Sequence, residues 1–539
     1  MRRTAKVIGL AIAAFAMIVA VLTGVLVQSA ALNGAWGVYN LTRVANGGDA
    51  TAAEPAARGI GGAASAAGDA AGVWSTLLAW NPVTNGVANR LDRVSNSLSK
   101  VGLASSAAAP ALPEALGANG PKRYLVCALN DAELYASGGA PLHVTMIEMD
   151  HGRFSTPVSG TTGVSISPGW PSLSWDKVGG LPWYDPGGQY SFGQTTYQPN
   201  FPFAAQNIMR AWEVQNYPKL DGVITLDMAA VANILRETGP IDTEGYGHLT
   251  AENVRRKILI DAYRQFPYNV PGANEKRRTF NDALMSKLTD VVTDPSNARG
   301  VAAGIAASIP ERHLQAYMVS PELQRSVVDL QADGALATPA GDILGVFLQS
   351  YIAKVSVFQT RTIRRDVTIA VDGSAKVTQV VINTNAVPAD VPGDRTTDFE
   401  YLALIQSQWV AYRLPGNATA ATVETSGAPR VPPDKTGPYH DGSGGQVMWQ
   451  GTSLAPGASE QVMLTYRLPP GTFGAGDTRS YRLTTNPQAF SSPVRLEVHV
   501  TFEGKPAGNS QANSPWTSAG GAHIWRGDLD GTLELRVGA

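Results

Sequence analysis

Apolar positions fall into three regimes along the chain. From residue 7 to 27 the sequence is predominantly apolar and uncharged, close to the roughly twenty residues that a helix needs to cross the hydrocarbon core of a bilayer. Arg2, Arg3 and Lys6 precede it, and no Lys or Arg follows until Arg43. By the positive-inside rule, residues 1–6 are expected to be a cytoplasmic tail, residues 7–28 a transmembrane helix and the rest extracytoplasmic. The alternative is a signal peptide cleaved near Ser29-Ala30-Ala31, and the length of the apolar run favours an anchor. Residues 33–120 shift to Ala, Gly and Ser with few aromatic residues, the composition of a partly helical stalk. Within it Val87, Leu91, Val94, Leu98 and Val101 recur at helical spacing and predict a helix over 85–101, followed by an Ala-Pro linker.

The second regime, residues 122–355, mixes short apolar runs with amphipathic stretches and predicts an α/β domain. Strands are expected at 123–129, 142–149 and 222–226. Asp227 caps an expected helix over 228–238 that Gly239-Pro240 stops. Another helix follows Thr250, with Val254, Ile258, Ala262 and Phe266 in a stripe and Arg255, Arg256 and Arg264 off it. A third is expected over 275–292, where Phe280, Leu284, Leu288 and Val291 share a face with Arg277. Beyond Thr362 the period changes to two. Val367, Ile369 and Val371 run into an Asp372-Gly373 turn, with the returning strand at 377–382. The same alternation recurs at Val462–Leu468, Val494–Phe502 and Leu533–Val537. Residues 360–539 therefore predict an antiparallel β-sandwich.

At 539 residues the chain exceeds what one hydrophobic core accommodates, in keeping with several folded parts. The net charge of -2 with mixed acids and bases argues against nucleic acid as a partner. The single cysteine, Cys127, excludes an intramolecular disulfide, and its apolar neighbours mark it as a buried strand residue.

Several segments of the α/β region resemble the bacterial domain of unknown function 4012 family, whose members are membrane-anchored and exported. They are Asn130-Asp131-Ala132-Glu133-Leu134 with Ser137-Gly138-Gly139, then Pro199-Asn200-Phe201-Pro202, Leu220 through Asp227, and Thr238-Gly239-Pro240-Ile241. The resemblance is expected to run from about Lys122 to the C-terminus. Two segments depart from the family pattern: Tyr135-Ala136 stands where the family has Arg-Pro, and Asn200 where it has an acidic residue. The strand-Asp-helix-Gly-Pro segment and the later arginine-bearing helix also resemble, more distantly, the LytR-CpsA-Psr family, which transfers polymers from polyprenyl pyrophosphate to peptidoglycan. The Arg-Asp-Thr signature with which those enzymes bind phosphate and magnesium is missing here.

Candidate chemistry is confined to a few charges. Arg277 points inward near a helix start and needs an anionic partner, either a carboxylate such as Asp227 or Glu133 or a bound anion such as phosphate. Asn130, Asp131 and Glu133 follow the first strand, at the end where open α/β sheets place ligands. The candidate ligand-binding residues are thus Arg277, Arg278, Asn130, Asp131, Glu133 and Asp227. Trp175, Trp183, Tyr184, Tyr190, Phe192 and Tyr197 form either a sugar-stacking or lipid-facing loop or a small satellite core. Ser174-x-x-Lys177 and Lys435-Thr436-Gly437 match penicillin-binding motifs, but Gly and Pro around both forbid the required helix and core strand. No metal spacing is present and no cofactor is expected.

Three functions follow as expectations. The first is an anchored envelope protein binding an anionic or polyprenyl-linked glycan, with the cytoplasmic membrane and cell-wall glycan as partners. The second is a phosphotransferase moving a glycopolymer from polyprenyl pyrophosphate to the cell wall, with Asp131 or Glu133 holding magnesium. The third is a non-catalytic scaffold.

Overall fold

The structure is a computed structural model, and it describes residues 32–33, 49–78, 95, 106, 109–179, 190–267, 270–338, 340–351, 353–396, 403–427, 430–432, 435–507 and 515–539. The expected transmembrane segment, the expected helix over 85–101 and residues Trp183 and Tyr184 lie outside these residues. Among the described residues no helix is long and apolar enough to cross a membrane.

The chain divides into two compact units, one of Met1–Tyr124, Met146–Pro157 and Met318–Gln331, the other of Leu125–Thr145, Val158–Tyr317 and Ala332–Ala539. The first contains a 26-residue helix, Ala53–Leu78. Its sequence gives no strong apolar stripe because the buried positions are small: Ala53, Ala56, Ala57, Ala66 and Ala70. A second helix of this unit, Pro321–Asp329, is capped by Ser320, whose hydroxyl accepts from the Leu323 N–H. The Ser320 hydroxyl also donates to Glu114, 3.0 Å away.

Early in the chain the strands are β1 (Lys122–Asn130), β2 (Ala140–Asp150), β3 (Arg153–Thr161), β4 (Gly222–Leu226), a small hairpin of β5 (Ile241–Thr243) and β6 (Gly247–Leu249), and β7 (Leu314–Met318). One five-stranded sheet runs in the order β3-β2-β1-β4-β7. Cys127 lies fully buried in β1, where burial pushes its thiol pKa up. Helices Phe201–Glu213 and Met228–Thr238 pack against β4, Ala298–Ser308 packs on Met228–Thr238, and Ala273–Thr293 packs against β5. Met228–Thr238 falls where the Asp227 cap and the Gly239 stop predict it, because both signals are local. The helix expected after Thr250 is not continuous. It reads as Val254–Arg256, then a π-helical turn Lys257–Asp261, then Ala262–Gln265. A π turn inserts an extra residue and resets the helical phase. The buried set becomes Val254, Leu259, Ile260, Ala262, Tyr263 and Phe266, and Arg255, expected off the apolar stripe, turns inward and is half-buried.

The later strands are β8 (Asp342–Ser350), β9 (Gln359–Ile369), β10 (Ala375–Asn385), β11 (Gln406–Pro415), β12 (Thr419–Thr425), β13 (Tyr439–His440), β14 (Gly445–Leu454), β15 (Ser459–Leu468), β16 (Ser480–Asn486), β17 (Val494–Phe502), β18 (Thr517–Ala519), β19 (Ala522–Asp528) and β20 (Glu534–Gly538). They form a seven-stranded sheet, β12-β15-β10-β9-β17-β19-β18, and a six-stranded sheet, β13-β14-β11-β8-β16-β20. Residues of both sheets, among them Val346, Val367, Tyr412, Leu464 and Val498, share one apolar cluster. The hairpin expected around Asp372-Gly373 joins β9 to β10 antiparallel, with Ile369 opposite Ala375. A wholly antiparallel arrangement is corrected at two places: β16 pairs parallel with β8, and β17 pairs parallel with β9. Alternation sets which face a residue occupies. It does not reveal that a strand more than a hundred residues later inserts beside β8 or β9.

Candidate functional site

Three acidic or amide residues leave β1 in different directions. The Asn130 side chain accepts from the Ala132 N–H, 3.1 Å away, and so caps the single 3-10 turn Asp131–Glu133. That tight turn needs Gly139, with φ of +147°, because a Cβ there would lie 2.6 Å from the Asn130 carbonyl oxygen. Asp131 points inward, 0% exposed, and accepts from Arg255 at 3.0 Å and the Ser491 hydroxyl at 3.2 Å. Burial pushes the Asp131 carboxyl pKa up, reinforced by Asp227 and opposed by Arg255 and His313. Glu133 turns the other way, accepting from the Lys354 ammonium and, at 3.0 Å, from the Tyr135 hydroxyl.

Glu133 lines a cavity of about 500 Å3 together with Tyr135, Tyr263, Arg277, Arg278 and Lys354. All of these belong to the second unit. Arg277, 7% exposed, donates to Asn274 at 2.6 Å, and its guanidinium carbon sits 4.2 Å from the Tyr263 ring centre. The π turn, which lies between Arg255 and Tyr263, serves this geometry by shifting the phase of the residues after it, Tyr263 among them. His143 also lines the cavity, and there burial lowers its pKa against the pull of Asp282. With that imidazole neutral at pH 7, the titratable lining consists of three cations, Arg277, Arg278 and Lys354, against one carboxylate, Glu133. Such an excess, partly shielded from water, favours an anion.

Of the six residues proposed from sequence, the structure brings Arg277, Arg278 and Glu133 to one cavity. Asn130, Asp131 and Asp227 serve elsewhere. Asp227 Oδ1 accepts from the Ala229 and Ala230 N–H groups at 2.9 and 3.0 Å. Its Oδ2 lies 2.6 Å from His313 Nδ1, so the partner of Asp227 is His313 and not Arg277. Likewise Glu133 is held by Lys354. A magnesium site built from Asp131 or Glu133 does not fit these residues, because the two carboxylates face different surroundings and each is already bonded to a cation. Sequence reading missed Lys354, Tyr263 and His313. Lys354 bonds to Glu133 across 221 residues and His313 to Asp227 across 86, separations at which no local spacing signal exists. The aromatic segment behaves as a satellite core: Trp175, Tyr190 and Phe192 are buried, and Trp175 Nε1 donates to Asn207 at 2.9 Å.

The fold and cavity define a mixed α/β protein with a cationic cleft beside the β1 carboxyl end. The family model described as "Protein of unknown function (DUF4012)" matches residues 119–263, so the resemblance read from the motifs holds over that stretch, short of the C-terminal extent expected. No curated protein matches the sequence. Among solved structures, Bacillus subtilis TagV is similar at a TM-score of 0.21 and 11% identity, with 42% of this chain and 87% of that one covered. Protein gbs0355 from Streptococcus agalactiae gives 0.25 and 10%, covering 41% and 76%. An M1 zinc metallopeptidase from Deinococcus radiodurans gives 0.20 and 13%, and this chain spans only 42% of its length. Similarity at these scores transfers neither a site nor an activity.

Proposed function

We propose that this is an extracytoplasmic protein, anchored in the cytoplasmic membrane by residues 7–28 with residues 1–6 inside. Its α/β domain, followed by a β-sandwich that begins with β8 and so earlier than the boundary at 355–360 expected from sequence, binds an anionic or polyprenyl-linked glycan in cell-envelope biogenesis. The observation that carries this reading is the Arg277 guanidinium, nearly buried, stacked on Tyr263 and lining a roughly 500 Å3 cavity with Arg278 and Lys354. A planar guanidinium fixed in this way is pre-organised for phosphate or carboxylate oxygens.

The test is a calorimetric titration of the full chain in detergent with a polyprenyl-pyrophosphate glycan. Saturable binding is expected. In Arg277→Met it should weaken at least about tenfold, the loss of one charge-assisted contact, while the unfolding temperature shifts by only a few degrees. Absence of saturable binding in the unaltered protein would sink the reading, and a large loss of stability in Arg277→Met would assign the arginine to a scaffold. Binding that requires magnesium would point instead to the phosphotransferase.

A further inference from the structure

Trp170 lines the same cavity as Arg277 and Arg278, and it is held there in an unusual way. Its φ of +53° is left-handed backbone that a bulky side chain rarely adopts, and such strain gathers at functional sites. The surrounding loop fixes that conformation. Thr162 donates its N–H and its hydroxyl to carbonyls at the start of β2, 2.9 and 2.7 Å away. The Gly169 N–H donates to the Gly163 carbonyl at 3.0 Å and the Trp170 N–H to Ser167 at 3.1 Å. The indole then packs against two glycines. A Cβ at Gly163 would lie 2.2 Å from its Cε2 and Nε1, and one at Gly193 would lie 2.9 Å from its Cζ3. Despite this support the residue stays 41% exposed. Tyr263, which also lines the cavity, has the Arg277 guanidinium against its ring. Trp170 is therefore a rigid, wet aromatic surface beside a cationic pocket, and burial of its own apolar area does not account for its position.

We propose that Trp170 stacks on a sugar ring whose phosphate is held by Arg277 and Arg278, so that the cavity selects a glycosyl phosphate over a phosphate without a ring. The proposal rests on the anion-binding reading above and specifies its ligand. Free sugar phosphate and the head of a lipid-linked glycan share this chemistry, whereas a glycerophospholipid headgroup lacks the ring.

The experiment compares three probes on the full chain: N-acetylglucosamine 1-phosphate, glycerol 3-phosphate and inorganic phosphate. The unaltered protein should bind the sugar phosphate about tenfold more tightly than the other two, the effect of one aromatic stacking contact. In Trp170→Ala the three affinities should converge on that of inorganic phosphate. Trp170→Phe should keep most of the preference, and the unfolding temperature of Trp170→Ala checks that its fold is intact. A preference that survives in Trp170→Ala, or equal affinities in the unaltered protein, would overturn the stacking role while leaving the anion site standing. If none of the three probes binds, the anion-binding reading fails and this inference fails with it.

Discussion

Asp342→Ala is expected to lower folding stability by about 3–5 kcal/mol, the cost of leaving one member of a buried ion pair alone. Asp342 opens β8, and Arg365 lies on β9 in the facing sheet; both are 0% exposed. The carboxylate accepts from Arg365 Nε at 3.2 Å and forms an ion pair with Arg365 Nη2, 2.6 Å away. It also accepts from the Tyr481 hydroxyl at 2.8 Å and from the Tyr466 hydroxyl. Burial on its own would lower the Arg365 pKa, but Asp342 outweighs it and raises the pKa above the ordinary value. Truncation to Ala strands a guanidinium and two phenols in the apolar core between the sheets. The double variant Asp342→Ala/Arg365→Met removes the stranded charge as well, so it should be more stable than Asp342→Ala alone by at least about 1 kcal/mol. Urea unfolding measures both, and the double variant keeps the comparison usable where the single one does not fold. A single-variant loss under about 1 kcal/mol would mean that the pair does not hold the sheets.

Part of this was legible in the sequence. The alternation that marks Val367 and Ile369 as inward extends back through Ile363 to Arg365 and Arg361, and all five are buried. A strand that aims two arginines at its core announces a buried polar network, but only Asp342, 23 residues away, reveals what satisfies Arg365. The candidate site divides in the same way. Arg277 was legible because it shares a helical face with Leu284 and Leu288, and Glu133 because it follows a strand that local signals define. Tyr263 was hidden by the π turn: the period read from Val254 reaches Ala262 and Phe266, which are buried, but misses Leu259, Ile260 and Tyr263, which are buried as well. Lys354 follows β8 in a short connector with no period to read, and only the three-dimensional fold places it on Glu133.

The other large effect is expected at Asp227, and it carries a pH signature. Burial alone would lower the His313 pKa, yet the Asp227 carboxylate 2.6 Å away, with help from Glu311, pushes it up to about 10. An imidazole held above its ordinary value near 6.5 contributes stability that is fully present below about pH 6.5 and is lost as pH rises through about 10. The contribution is on the order of 4–5 kcal/mol at about 1.4 kcal/mol per pH unit. Asp131, its carboxyl pKa raised by burial and by Asp227, acts in the same sense, since its ionisation on raising the pH also costs stability. Unfolding measured from pH 6 to 10 should therefore show stability falling steadily from about pH 6.5 upward. Asp227→Ala should remove about 1 kcal/mol of helix capping at Ala229 and Ala230 and the pair itself, for a total of several kcal/mol at pH 6. With the carboxylate gone, burial dominates at His313, its pKa falls below the ordinary value, and the decline above pH 7 should vanish from the variant. A stability that stays level from pH 7 to 10 in the unaltered protein would show that His313 is not protonated against Asp227. The helix Met228–Thr238 would then be held at its start by the cap alone.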